Sequence, residues 1–245
     1  MQQVAAIQHF AELAVKERLY SNCGNLVFHL STLFRGVDLS GRRVLDIGGG
    51  WGMHSFYAAL KGAEEVICLE PEAEGSTGGV RDKFLGLRTQ LEAAQVTFAP
   101  VTFQAFEPQG KTFDVVLLHN SINHLDENAC TTLHTDAASR EIYRRILSKL
   151  SSICRSGAKL LVCDCSRNNF FALLGVKNPF VKSIEWHKHQ APEVWAALLC
   201  EVGFAKPRIT WSSLNTLRGF GRVFLGNRFA SYFLNSHFRL TMEKQ

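Results

Sequence analysis

The chain has 245 residues, 46% of them hydrophobic and 20% charged, with a formal net charge of +5 at pH 7. That length is enough to bury a large core in one α/β domain, and the composition excludes a disordered or fibrous chain. Seven cysteines without a C-x-x-C pair argue against a disulfide framework or a zinc ribbon, and no run of about 18 apolar residues offers a spanning helix. Met1-Gln2-Gln3 lacks the basic start of a signal peptide, so a soluble cytoplasmic protein is the expectation.

In chain order, Val4 to Leu19 carries apolar residues at helical spacing, and a second helix is expected from Asn25 to Phe34, after Tyr20-Ser21-Asn22. Val44 to Ile47 reads as a buried strand. It contains Asp46 and runs into Gly48-Gly49-Gly50-Trp51-Gly52, a tight turn that opens the next helix near His54. Gly48, Gly50 and Gly52 have no Cβ, so a ligand can lie directly on the backbone there, as nucleotide-type cofactors do. The spacing is G-x-G-x-G rather than the G-x-G-x-x-G of dinucleotide enzymes. A second apolar run, Val66 to Leu69, ends in Glu70 and Pro71. The Glu70 carboxylate falls at a strand tip, close to the ~20-residue offset at which an acid holds a ribose diol.

Asp46, the G-x-G-x-G turn and Glu70 together resemble the cofactor site of the class I S-adenosylmethionine-dependent methyltransferases. The resemblance implies an α/β fold: a Rossmann-like seven-stranded sheet with helices on both faces, an N-terminal helical cap over residues 1–39 and a methyltransferase domain over 40–245. It implies S-adenosyl-L-methionine as cofactor, with the glycine turn beside its methionine part and the strand-two acid on its ribose hydroxyls. Further along, Val96 to Phe106 fits a third strand and its exit loop, and Phe113 to Leu118 the fourth, which in the family begins with this Phe-Asp pair. Glu141 to Leu150 reads as an amphipathic helix, Gly157 as a turn and Lys159 to Asp164 as the fifth strand. Pro192 to Val202 reads as a helix closing at Gly203-Phe204, with Pro207 to Trp211 and Phe238 to Met242 as the last two strands. One departure concerns adenine: where the family places an acid after strand three, this chain has Ala105, between Gln104 and Phe106. Adenine recognition would then rest on backbone groups, Gln104 and apolar contact with Phe106. The cofactor-binding candidates are Tyr20, Asp46, Gly48, Gly50, Trp51, Glu70, Pro71, Gln104, Ala105, Phe106 and His119, with Tyr20 either a lid residue or a core aromatic.

Chemistry is expected at the carboxyl end of strand four, in His119-Asn120-Ser121-Ile122-Asn123-His124-Leu125-Asp126. Methyl transfer from a sulfonium is an in-line displacement, and a hydroxyl nucleophile must lose a proton, for which imidazole is the natural base near neutral pH. His119 stands at the strand tip. His124 is either the base or an interior histidine bonded to a backbone carbonyl. His187 and His189, at the rim of a later insertion, either face the pocket or are exposed loop residues, and Asp164 is a further candidate for orienting an acceptor. His119, His124, Asp126, His134 and Asp136 match no compact zinc spacing, so no metal is expected.

Charge is uneven. Residues 1–165 carry 16 Lys and Arg against 18 Asp and Glu, whereas residues 166–245 carry 11 against 4. That basic third holds two segments beyond the minimal fold, at about 166–188 and 212–237, and both mix aromatics with cations. A helix in the second reads first as an edge helix with a packed apolar face and solvated arginines. Its alternative is a lid for an anionic or lipid-linked substrate, or a surface resting on anionic membrane. No aromatic RNA-binding signature is present, and nucleic acid is not expected as a partner. The expectation is O-methylation of a small molecule or sugar hydroxyl, of the kind found in carbohydrate or natural product biosynthesis, with a histidine base. The alternatives are N-methylation of a small amine, a non-catalytic cofactor-binding scaffold and a nicotinamide oxidoreductase.

Overall fold

The computed structural model describes residues 2–71 and 79–245. Their strands form one seven-stranded sheet in the order β3-β2-β1-β4-β5-β7-β6. The strands are β1 (Arg43–Ile47), β2 (Glu65–Leu69), β3 (Val96–Ala99), β4 (Phe113–His119), β5 (Cys154–Cys165), β6 (Phe204–Trp211) and β7 (His237–Lys244). Packing divides the chain into two compact units, residues 1–117 and 118–245, with the boundary inside β4.

In the first unit β1, β2 and β3 pair in parallel. Ile47 is opposite Leu69 and Leu69 opposite Ala99, so the glycine turn, Glu70 and the exit from β3 leave three strand ends at one level. The apolar runs are buried because both faces of a parallel sheet are covered: Val44, Leu45, Val66, Cys68, Leu69 and Val96 are all at most 1% exposed. The helices are α1 (Gln2–Lys16), α2 (Cys23–Leu33), α3 (Met53–Leu60) and α4 (Val80–Gln90). A ring series ties them together, Phe10 to Phe56 at 6.3 Å, Phe56 to Phe84 at 4.8 Å and Phe84 to Phe98 at 5.0 Å, while Phe34 of the segment after α2 stacks on Tyr57. The N-terminal helices thus pack on α3, the helix that the glycine turn starts.

In the second unit β7 pairs antiparallel with both β5 and β6. The helices are α5 (Glu127–Thr132), α6 (Ala137–Ser152), α7 (Phe170–Leu173), α8 (Pro192–Glu201), α9 (Arg218–Leu225) and α10 (Arg228–Phe233). Two expectations need correction. Gly157 is not a turn but lies inside β5 at φ 78°, in a stretch from Arg155 to Gly157 that is exposed, so the strand begins before its apolar run. Pro207 does not open β6 but sits three residues into it, where the register shifts between Ala205 and Arg208 and Lys206 takes φ 54°. Proline has no N–H for the ladder, and a bulge is where a strand tolerates one.

Candidate functional site

In the first unit, the turn after β1 is held from behind. The N–H groups of Gly48 and Gly49 both donate to the Leu69 carbonyl, at 2.8 and 3.1 Å, and Gly52 N–H donates to Gly49 O. Gly48, Gly50 and Gly52 have φ of 72°, 54° and 80°, a left-handed run that residues with a Cβ resist. A Cβ on Gly49 would stand 2.5 Å from Cys68 Sγ, and one on Gly52 2.5 Å from the Phe84 ring, whereas one on Gly50 would meet nothing within 4 Å. The outer two positions are closed by packing, and the middle one faces open space.

Two carboxylates lie at the turn. Glu70 Oε2 accepts the Gly50 N–H at 2.8 Å. Asp46 is 1% exposed, its Oδ2 accepts the Ser55 hydroxyl at 2.7 Å, and its Oδ1 has no hydrogen-bond partner among the described residues. Burial raises the Asp46 pKa from 3.8 to about 7; the charge of Glu70 adds to the rise and the Ser55 bond opposes it. His54, in the first turn of α3, has its ring 5.8 Å from that of His29 in α2. Burial, then the charge of His29, lowers its pKa to about 3, so it is a neutral imidazole at physiological pH.

Among the other candidates of this unit, Trp51 lies in the turn with the Lys83 ammonium 5.2 Å from its ring, and Tyr20 and Pro71 are half-buried. Gln104 and Ala105 are exposed. Phe106 is 7% exposed and packs on Phe113 at 6.3 Å, so much of its ring belongs to the core.

The polar groups of the second unit collect around the ends of β4 and β5. His119 is half-buried, with its ring 5.7 Å from that of His237. Asn120 N–H donates to the Cys163 carbonyl at 2.7 Å. The loop that follows is pinned by buried Tyr143, whose hydroxyl lies 2.9 Å from Ile122 O and 3.2 Å from Asn123 O. His124 is neither interior nor bonded to a carbonyl: its side chain is 55% exposed and Nδ1 lies 2.6 Å from Glu127 Oε1, a bond that lowers the Glu127 pKa. His187 is exposed. Asp126 and Asp136 cap α5 and α6 through the N–H groups of Ala129 and Ser139, and His134 Nδ1 is 2.6 Å from Arg167.

His189 and Asp164, separate candidates in the sequence, are brought together by the fold. The His189 side chain is 13% exposed, and Nδ1 lies 2.9 Å from Oδ1 of Asp164, a fully buried carboxylate that also accepts the Cys165 N–H. The carboxylate accepts, so the proton sits on Nδ1 and Nε2 is the basic nitrogen. In the same unit a cavity of about 430 Å³ is lined by Asn168, Glu193, Trp211, Arg228, Phe229 and Tyr232, with Arg228 and Glu193 paired at 3.3 Å. The two insertions, which line it together with Glu193 of α8 and Trp211 of β6, are clasped by buried Asn169, whose Nδ2 donates to Tyr232 O, Leu234 O and Ser236 Oγ while its Oδ1 caps α7 through Phe171 N–H. Cys163 and Cys165 behave as small apolar fillers; both are buried, and burial pushes the Cys163 thiol up to about 12.

Comparison with known proteins fits this architecture. No family model matches the chain. A curated relative, the tRNA U34 carboxymethyltransferase of Psychrobacter arcticus, is 30% identical over 95 residues, which is 36% of this chain and 26% of that protein. The chain therefore spans about a quarter of the length of that relative. Among solved structures, an S-adenosylmethionine-dependent methyltransferase from Aquifex aeolicus superposes with a TM-score of 0.60 at 13% identity, covering 90% of this chain and 92% of that one. The mitomycin 7-O-methyltransferase superposes with a TM-score of 0.57 at 16% identity, covering 92% of this chain and 55% of that one. The chain has the fold of the class I S-adenosylmethionine-dependent methyltransferases.

Proposed function

We propose that this chain is an S-adenosylmethionine-dependent methyltransferase acting on a hydroxyl of a small molecule or sugar. The observation that carries the cofactor is the paired arrangement at the glycine turn: space over Gly50, Glu70 bonded to its N–H, and a buried carboxylate oxygen on Asp46 with no protein partner among the described residues. These residues fit an adenosyl amino acid. Gly48 and Gly50 allow close approach, Glu70 offers acceptor oxygens to a ribose diol, and Asp46 offers a negative charge to an amino group. The cofactor supplies an electrophilic methyl group on sulfur.

The second unit supplies what a hydroxyl acceptor needs. His189, with its Nδ1 proton held by Asp164, is the best-oriented base among the candidate histidines. It takes the acceptor's proton on Nε2, and the buried carboxylate stabilises the imidazolium that forms. His119, His124 and His187 remain candidates in the same proposal; His124 and His187 are exposed, and His124 is tied to Glu127. The cavity with Trp211, Phe229 and Tyr232 beside an Arg–Glu pair suits a ring that carries hydroxyls, as sugars and phenols do. That the mitomycin enzyme of similar fold is an O-methyltransferase supports the hydroxyl reading.

Calorimetry with S-adenosylhomocysteine tests the first half. Micromolar binding that Glu70→Ala weakens supports the cofactor site; absence of binding, or binding of NADH instead, sinks it. A panel of sugars and phenols, assayed for methyl transfer, then tests the acceptor class, and turnover only with amines would replace O- by N-methylation.

A further inference from the structure

The helix expected in the second insertion forms, but its orientation is the reverse of an edge helix with a packed apolar face. On α9, Phe220, Val223 and Phe224 stand at i, i+3 and i+4, and therefore on one side. They are 64%, 69% and 62% exposed, while Gly221 is buried against Ser213 and Leu217. The Phe220 and Phe224 rings lie 4.8 Å apart and form an exposed aromatic pair. The neighbouring helices continue the pattern. Phe229 of α10 is exposed, as are Leu173, Leu174, Val176 and Phe180 of the first insertion, and rings from Phe229 through Phe233 and Phe170 to Phe171 link the two insertions.

Bulky apolar side chains held outward on three short elements are costly in water. The chemistry around them identifies what covers them. Segments 166–188 and 212–237 contain seven Lys and Arg against a single acid, Glu185. Arg218 and Arg222 stand one turn apart on α9, on a different side from its phenylalanines. Aromatic and leucine side chains surrounded by cations match a bilayer interface, where the rings enter the acyl boundary and long basic side chains reach anionic headgroups. No described helix is long and apolar enough to cross a membrane, so any contact made by these helices lies on the surface. The cavity described above shares Phe229 with this surface, so its wall is continuous with the apolar patch.

We infer that the two insertions form a docking surface for an anionic lipid bilayer, seated through Phe220, Val223 and Phe224 of α9 together with Leu173, Leu174 and Phe229. The inference stands apart from the cofactor reading, because the patch shares no residue with the glycine turn; Phe229 is common to the patch and the proposed acceptor cavity.

Flotation of the full chain with vesicles tests it. Co-flotation is expected with phosphatidylcholine vesicles containing phosphatidylglycerol, little with phosphatidylcholine alone, and a decline with added salt. The Phe220→Ser/Phe224→Ser variant, altered at exposed positions, is expected to lose at least about tenfold in partitioning, and Lys177→Glu/Lys182→Glu to weaken binding to the anionic vesicles alone. Affinity for S-adenosylhomocysteine, measured on the same samples, stays unchanged. Failure of the wild type to float with anionic vesicles overturns the inference, as does a phenylalanine variant that floats like wild type. Sedimentation showing a wild-type dimer that the same variant dissolves overturns it in favour of a second copy of the chain as the occupant.

Discussion

Glu70 Oε2 accepts the N–H of Gly50 at 2.8 Å, joining the tip of β2 to the middle of the glycine turn. The bond comes from register: Ile47 and Leu69 are opposite each other, so the residues that follow them emerge side by side. Glu70→Gln keeps an oxygen for the Gly50 N–H but loses the charge, whereas Glu70→Ala loses both. S-adenosylhomocysteine affinity is therefore expected to fall at least about tenfold in the alanine variant and less in the glutamine variant. Equal affinities in all three proteins by calorimetry would remove Glu70 from the site.

The glycines of the turn are expected to fail in different ways. A Cβ on Gly49 stands 2.7 Å from Asp46 Oδ2 as well as 2.5 Å from Cys68 Sγ, so Gly49→Ala forces the buried strand ends apart and costs about 1–3 kcal/mol of stability. Gly50→Ala meets only the strain of φ 54°, about 1–2 kcal/mol, but places a methyl group in the open space proposed for the ligand. Thermal unfolding with and without S-adenosylhomocysteine separates them: the first variant melts early, and the second loses most of the ligand-induced rise. A Gly50→Ala protein with a full ligand-induced rise would show that the space over Gly50 is not the binding site.

Asp46 gives the site a pH dependence. Its folded pKa, about 7, lies above its ordinary value of 3.8, so the folded state holds this proton better than the unfolded chain does. The resulting stabilisation is fully present below about pH 4 and is lost as pH rises toward 7. Asp46→Asn removes that slope. The ligand-free variant is expected to match wild type near pH 4 and to exceed it by about 1 kcal/mol or more above pH 7. Binding runs the other way, since a ligand ammonium prefers the ionised carboxylate. Wild-type affinity for S-adenosylhomocysteine rises as pH increases through about 7, and in the asparagine variant it is weaker and flat across that window. A wild-type affinity independent of pH would separate Asp46 from the ligand's amino group.

Much of this architecture is legible in the sequence because backbone geometry forces its own signals. The runs Val44–Ile47, Val66–Leu69 and Phe113–Leu118 are buried strands, and glycine marks the turn because φ is positive at Gly48, Gly50 and Gly52. Gly49 had no such signal: its constraint is a long-range contact with Cys68 that no local pattern encodes. The same holds for Asn169, which reads as a loop residue and proves to be the clasp between the insertions. The phenylalanines of α9 show the limit of periodicity. Spacing places Phe220, Val223 and Phe224 on one side of a helix but does not say whether that side meets protein or solvent. His189 and Asp164 are each candidates in the sequence, but their pairing is not legible there, since they lie 25 residues apart and only folding brings them together.

The Asp164–His189 pair yields the most direct test of chemistry. If His189 is the base, His189→Ala lowers kcat by about 100-fold or more while leaving S-adenosylhomocysteine affinity intact. Asp164→Asn is informative in a different way, because an amide can donate to Nδ1 and leave the proton on Nε2, the wrong nitrogen for a base. Its kcat falls although His189 is present, and the loss is not recovered at high acceptor concentration. His119→Ala and His124→Ala serve as comparisons: if either abolishes turnover with binding intact while His189→Ala retains full activity, the base lies on the loop after β4 and Asp164–His189 is a structural pair.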